Sequence, residues 1–296
     1  MALPHQLRQQ LLGQCGSAIV VSDDRQAYRF CRQIAFHHYE NFPVVSLALG
    51  EMRDDIAAIY AFARLADDIA DEWDAPTEAK LAALDMLDSW LDSPLLHHPI
   101  GRAVASTIER NRLPRETFRR LLRAFRYDAA FVPFETERLL EDYCSNSAAP
   151  IGELLLRLAG RWSEQSASLS DAFCAGLQVL NFWQDISNDW QRGRVTAPLE
   201  WLGSDSPPLW DELLANPRQR FVLAQRYDEM VTRLLASGTA LAELLPRGRL
   251  RLQVRVTWTT AHVIWHRCRQ RGVNFEVQPR LRWIDIGRIL GALVFR

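Results

Sequence analysis

Along most of the chain apolar residues recur three and four positions apart, and strict alternation is rare. That is the period of amphipathic helices, not of strands. The windows predict helices over 24–38, 51–73, 77–92, 99–111, 115–132, 137–160, 168–191, 217–237, 248–271 and 280–293. Between them sit Pro76, Pro94, Pro99, Pro114, Pro133, Pro198 and the Pro207–Pro208 pair. Proline lacks an N–H and crowds the preceding turn, so these positions mark breaks. Residues 192–208 read as the longest loop. No internal repeat, low-complexity tract or linker interrupts the pattern, and the simplest reading is one all-α domain over residues 1–296, with 1–23 as an N-terminal extension.

Two of these helical windows carry acid in an unusual arrangement. Ala63–Glu72 reads ARLADDIADE and Asn181–Trp190 reads NFWQDISNDW. Asp67 and Asp71 lie four residues apart in the first, Asp185 and Asp189 in the second. On a helix this spacing stacks both carboxylates on one face, and like charges so placed weaken the helix by roughly 0.2–0.5 kcal/mol. At about 100° per residue, Tyr60, Arg64, Asp67 and Asp71 share a fan of about 60°, with Phe62, Ala66, Ile69 and Trp73 opposite. In the second segment Gln178, Asn181, Asp185, Asn188 and Asp189 share a stripe of about 100°, with Val179, Trp183, Ile186 and Trp190 behind.

A solvated acidic face is the bland explanation. Against it, the second stripe mixes carboxylates with amides and holds no cation, the first pairs its acids with a tyrosine and an arginine, and the arrangement occurs twice, about 118 positions apart. Aspartates on helices suit hard cations, above all magnesium, which binds through a few carboxylates, waters and substrate phosphates. Two such helices are expected to clamp one metal–diphosphate, with Asp67, Asp71, Asp185 and Asp189 as ligands, Mg2+ (or Mn2+) as the ion and Asp68 as a weaker candidate. A di-iron site would need Glu-x-x-His motifs, which the chain lacks, and His37 and His38 read as structural.

Composition narrows the class. The chain is 48% hydrophobic and 24% charged, with net charge −1, ordinary for a globular protein with a real core. That balance leaves no basic footprint for nucleic acid. Lys80 is the one lysine, which reflects genome composition more simply than phosphate recognition. Cys15, Cys31, Cys144, Cys174 and Cys268 are scattered without a CxxC, the pattern of reduced thiols in a cytoplasmic protein. No secretory leader or apolar run of membrane-spanning length is evident; peripheral contact at the inner face of a membrane remains compatible with the sequence, and oligomeric state is not legible.

The residues resemble the squalene/phytoene synthase family of trans-isoprenyl diphosphate synthases. His38–Leu49 (HYENFPVVSLAL) is similar to its substrate-lining segment, Ile59–Glu72 to its first aspartate motif, Tyr143–Leu158 (YCSNSAAPIGELLLRL) to its central helix, and Leu177–Val195 to its second motif with the basic segment beyond. The resemblance spans roughly residues 25–290. It implies an isoprenoid-synthase helical bundle with a central cavity and an isoprenoid diphosphate as substrate. Gln184 stands where phytoene and presqualene diphosphate synthases usually carry an arginine, and with DWQRGR this looks most like the bacterial hydroxysqualene synthases of hopanoid biosynthesis. Those convert presqualene diphosphate and water to hydroxysqualene and diphosphate, with no nicotinamide. Relatives commonly carry Tyr-Leu where this chain has Thr196-Ala197, a departure in the lid-like loop.

Roles follow from the reaction class, ionisation of an allylic or cyclopropylcarbinyl diphosphate. Arg64 and Arg53, and from the loop Arg192 and Arg194, offer planar forks for diphosphate oxygens. Tyr60, Phe42 and Phe182 are candidate aromatic walls, each worth roughly 0.5–2 kcal/mol to a cation. Tyr143 matches the tyrosine of the family's central motif and is expected to guide proton or water chemistry. Asn181 and Gln178 lie on the metal-facing stripe, to hold a water or to support the ligands. The alternatives are head-to-head condensation of two farnesyl diphosphates to presqualene diphosphate or squalene, and a catalytically silent relative acting as a binding or assembly factor.

Overall fold

The computed structural model describes residues 20–37, 50–282 and 285. Phe42, His38 and most of the helix expected over 280–293 lie outside the described residues, and nothing is said of the side chain of His37. Among the described residues every regular element is helical. They are α1 (Asp24–His37), α2 (Arg53–Asp67), α3 (Thr77–Asp92), α4 (Pro99–Asn111), α5 (Arg115–Ala129), α6 (Glu137–Ser147), α7 (Ala149–Leu158), α8 (Glu164–Gln191), α9 (Leu199–Leu202), α10 (Trp210–Ala215), α11 (Pro217–Leu244) and α12 (Arg249–Arg271). The all-α expectation holds. No described helix is long and apolar enough to cross a membrane.

Several boundaries differ from expectation, each for a local reason. The central helix is broken at Ala148 into α6 and α7. Pro150 explains it, because its ring would clash with the carbonyl four residues back. A further proline, Pro246, lets α11 run to Leu244: Leu245 before it is extended, at φ −72° and ψ 137°, the conformation a pre-proline residue prefers. The loop expected over 192–208 contains the short α9, and Val195, Thr196 and Ala197 within it are buried. The Thr196-Ala197 departure therefore falls on packed residues.

The chain divides into two compact units, Met1–Ala130 with Leu154–Arg161 and Phe131–Glu153 with Trp162–Arg296. In the first unit α2 is the central element. Ile56, Ala57, Ala58, Ile59, Ala61, Phe62, Leu65 and Ala66 are all buried along it, and Phe62 meets Phe118 of α5 edge-on at 5.6 Å. A buried polar network crosses the same helix. Asp55 accepts from Arg110 at 2.5 Å and from Thr107 at 2.9 Å, and the Tyr28 hydroxyl shares Thr107 at 3.0 Å.

In the second unit α8 packs along α11 and touches α12. The apolar stripe expected behind the second acidic face is the buried one, with Val179, Trp183, Ile186 and Trp190 at 0–6% exposure. Ser163 caps α8 through the Ser166 amide, and Ser166 returns the bond, a reciprocal cap that starts the helix four residues earlier than the periodicity suggests. Gly238 lets α11 approach its neighbours closely, since a Cβ there would lie 2.7 Å from both Phe173 and Trp258.

One buried group makes the first unit acid-sensitive. His98 caps α4, its Nδ1 accepting from the Gly101 amide at 3.4 Å, and it is 8% exposed. Burial, with His97 nearby, lowers its pKa from 6.5 to about 4. A protonated ring loses the acceptor and meets the positive end of the helix. The unfolded chain then binds the proton first. Stability is complete above pH 6.5 and falls between there and about 4, by about 3 kcal/mol in total. Urea midpoints at pH 7 and pH 5 are expected to differ in the wild type, and the His98-dependent part of that difference to vanish in His98→Gln.

Candidate active site

In the first unit the acidic segment does not continue as an α-helix. α2 ends at Asp67 and Asp68–Glu72 form one π-helical turn before Trp73 turns extended. A π turn advances each residue by less than the 100° assumed above, so Asp71 is rotated from the position that an unbroken helix over 51–73 would give it. Such single turns widen a helix, and they are frequent at functional sites. Lys80, from α3, donates to the Ala70 carbonyl at 2.8 Å and satisfies a group that the widened turn exposes. This gives the lone lysine a structural purpose that composition did not reveal.

Arg64 is only 17% exposed and pairs with both neighbouring acids, with Asp67 at 3.2 Å and, more closely, with Asp68. Burial alone would lower the Arg64 pKa, but Asp68 and Asp67 outweigh it and raise it. Asp68 is wholly buried, whereas Asp67 is half-buried and Asp71 exposed. Tyr60 stands beside this group, its phenol pushed up by burial, then lowered in part by Arg64 and raised by the two aspartates. Arg53 is different. It is exposed at the first position of α2, about 16 Å of helix away from Arg64.

In the second unit Gln178, Asn181, Asp185 and Asp189 are half-buried on α8, and Asn188 is exposed. Among the described residues, the side-chain amides of Gln178, Asn181 and Asn188 bond to no protein group. Amides at a part-exposed surface are open to water or to a ligand that replaces it. Burial raises the Asp185 pKa, while the Gln278 amide, Arg271, Arg280 and Arg192 each pull it back. These cations come from α12, from the segment beyond it and from the end of α8, so the cation-free stripe read from the α8 sequence is supplied with charge from elsewhere in the chain.

Three residues chosen from sequence meet here. Tyr143 on α6 is 8% exposed, its ring 5.4 Å from Phe134 and 6.0 Å from Phe182. Arg194, past the left-handed Gly193 at φ 78°, donates to the Tyr143 hydroxyl at 3.4 Å and lies 5.3 Å over the Phe131 ring. Arg192, by contrast, is exposed at the end of α8. Behind Asp189, Tyr227 is fully buried, stacked parallel to Trp183 at 6.1 Å. Its phenol is raised by burial, lowered in part by Thr196 and raised by Asp189.

Sequence reasoning missed Gln278, Arg280 and Arg271. Gln278 donates to Asp185, and Arg280 donates twice to the Gln278 oxygen, at 3.1 and 2.8 Å. Arg271 donates to the Trp183 and Gln184 carbonyls at 2.6 and 3.3 Å. Gln184 itself donates to the Pro279 carbonyl at 2.8 Å. Nothing in the local pattern at 271–280 advertises these bonds, which span about 90 positions of chain. A groove of about 890 Å³ runs beside them, lined among others by His262, His266, Arg267, Arg271, Gln278 and Arg280.

No set of three or more His, Cys, Asp or Glu side chains gathers as a metal cluster among the described residues. Each acidic segment taken by itself offers two carboxylates, Asp67 with Asp71 and Asp185 with Asp189, which is the number that a magnesium ion takes besides its waters and substrate phosphates. The described cysteines, Cys31, Cys144, Cys174 and Cys268, are free thiols.

Residues 36–285 match the squalene/phytoene synthase family. A hydroxysqualene synthase from Sinorhizobium fredii is 33% identical over 242 residues, covering 79% of this chain and 80% of that protein. A phytoene synthase from Rhodobacter capsulatus is 28% identical over 176 residues, 58% of this chain and 52% of its own. Among solved structures, the squalene synthase of Alicyclobacillus acidocaldarius superposes with a TM-score of 0.76 at 32% identity, over 88% of this chain and 98% of that one.

Proposed function

Because this chain belongs to the squalene/phytoene synthase family, we propose that it is a magnesium-dependent enzyme of isoprenoid diphosphates, and that its reaction converts presqualene diphosphate and water to hydroxysqualene and diphosphate, a step of hopanoid and squalene biosynthesis. The observation that carries the reading is the half-buried line of Gln178, Asn181, Asp185 and Asp189 on one face of α8, two carboxylates flanked by two amides that bond to no protein group among the described residues. The 33% identity with a hydroxysqualene synthase supports the choice of product.

Asp67, Asp71, Asp185 and Asp189 would hold the metal. Bound magnesium supplies Lewis-acid neutralisation of the leaving diphosphate. The rest falls to the chain. The carbon–oxygen bond breaks with its electron pair going to diphosphate, and water adds at the cation and releases one proton. Asn181 and Gln178 hold that water through their amides. The rings of Phe182 and Tyr143 offer the cation faces without a nucleophile. Arg194, which carries donors only, fixes the Tyr143 hydroxyl with its lone pairs toward the guanidinium.

Magnesium with inorganic diphosphate is expected to raise the melting temperature, because a ligand of the native state stabilises it by about 2.7 kcal/mol at a hundred times its Kd. A thermal-shift titration checks this; a flat response with both present would refute the site. The matched squalene synthase supports a second reading, condensation of two farnesyl diphosphates to presqualene diphosphate or squalene. Incubation with farnesyl diphosphate alone separates the two, with no product expected under the first.

A further inference from the structure

Beyond α12 the chain doubles back as a short strap, residues 277–280, and three side chains pin its backbone. Arg271 donates to the Val277 carbonyl at 3.4 Å, Gln184 to the Pro279 carbonyl at 2.8 Å, and Arg267 to the Arg280 carbonyl. Arg267 is itself held by Asp285 at 2.6 Å. Pro279 adds a fixed φ. Four residues thus have three of their carbonyls fixed, and the side chain carried between those anchors is Gln278.

Its orientation is decided by chemistry. Both Arg280 contacts, from Nε at 3.1 Å and Nη2 at 2.8 Å, end on Oε1 of Gln278. A guanidinium has donors only, so the atom it faces must be the amide oxygen, and the NH2 is then turned to Asp185. An ionised carboxylate has acceptors only, so the pairing is complementary at both ends. This is the one hydrogen bond to the Asp185 side chain among the described residues, and it engages Oδ1 and leaves Oδ2 available.

We propose that Gln278 is a positioning residue for Asp185, fixing one carboxylate oxygen so that the other is presented to the metal–diphosphate. The inference rests on the reading of Asp185 as a metal ligand. Gln184 and Arg271 act one step further out, tying the strap to the helix that bears Asp185. Gln184 does this without charge. An arginine there would add a further full cation to Arg271, Arg280 and Arg192, which already act on that carboxylate from beyond salt-bridge distance. The bland alternative is a strap that merely packs on α8, with Gln278 as surface decoration.

The test is a double-mutant cycle read by Mn2+ binding to the full-length protein with inorganic diphosphate present, followed by electron paramagnetic resonance. Gln278→Leu is expected to weaken Mn2+ binding about 10- to 100-fold, the range for removing a group that orients a ligand. In an Asp185→Asn background the same change is expected to do nothing more, because the group it positions is gone. Arg280→Ala keeps Gln278 and frees its amide to rotate, and is expected to give a smaller loss in the same direction while leaving the melting temperature in place. It serves if Gln278→Leu folds poorly. Equal losses in both backgrounds would mean that the strap supports the fold only, and would overturn the proposal, as would wild-type affinity in Gln278→Leu and Arg280→Ala when Asp185→Asn is impaired. Wild-type affinity in Asp185→Asn would instead remove the metal reading itself, and the proposal with it.

Discussion

Asp67→Ala and Asp185→Ala are each expected to lower magnesium-dependent diphosphate release at least about a hundredfold. The figure follows from the several kcal/mol of charge stabilisation that a bound metal contributes, at about 1.4 kcal/mol per factor of ten. Both side chains are half-buried at helix surfaces, so neither removal opens a cavity in the core. Asp185 lacks a cation within salt-bridge distance among the described residues, its hydrogen bond being to the neutral Gln278 amide. Burial raises its pKa. A carboxylate kept in that situation weakens the apo fold unless a cation arrives. Far-UV circular dichroism of both variants should therefore superpose on the wild type. Turnover within tenfold of wild type in both would contradict the roles assigned.

The second large effect is structural and falls one residue away. Asp68→Ala is expected to destabilise the first unit by about 3 kcal/mol, the low end of what breaking a buried ion pair causes. Asp68 is wholly buried against an Arg64 that is 17% exposed, and its loss strands the guanidinium in low dielectric. Asp67, 3.2 Å from the same guanidinium, remains to compensate in part, which sets the estimate at the low end. For a chain of this length the melting temperature should drop by roughly 5 °C, whereas Asp67→Ala should move it far less. Two adjacent aspartates would then separate cleanly, one read in stability and one in turnover. Equal melting temperatures for the two variants would contradict the buried pairing.

These paired variants also mark where sequence reasoning reached and where it stopped. Helical periodicity located α8 and its buried stripe of Val179, Trp183, Ile186 and Trp190, because a 28-residue helix repeats its face many times. It also ranked Asp68 below its neighbours as a metal ligand. It failed at the π turn over Asp68–Glu72, because a fixed 100° step cannot register a local change in helical pitch. It misread the central helix because Pro150 was given no weight as a break, although its effect on the preceding turn is local and legible. The roles of Gln278, Arg280 and Arg271 were out of reach for another reason. Their bonds to α8 depend on tertiary folding across about 90 residues, and a glutamine among arginines has no signature of its own. Gln184 lies between these cases. Its identity was conspicuous in the motif, but its work, holding Pro279, needed coordinates.

Product identification tests the central claim most directly. Purified protein is incubated with presqualene diphosphate, magnesium and heavy-oxygen water, without reductant, and the isoprenoid product is analysed by mass spectrometry. The expected result is hydroxysqualene carrying the solvent oxygen, formed together with diphosphate and abolished by chelation of the metal. Recovery of unchanged presqualene diphosphate, with the same preparation condensing farnesyl diphosphate, would contradict it.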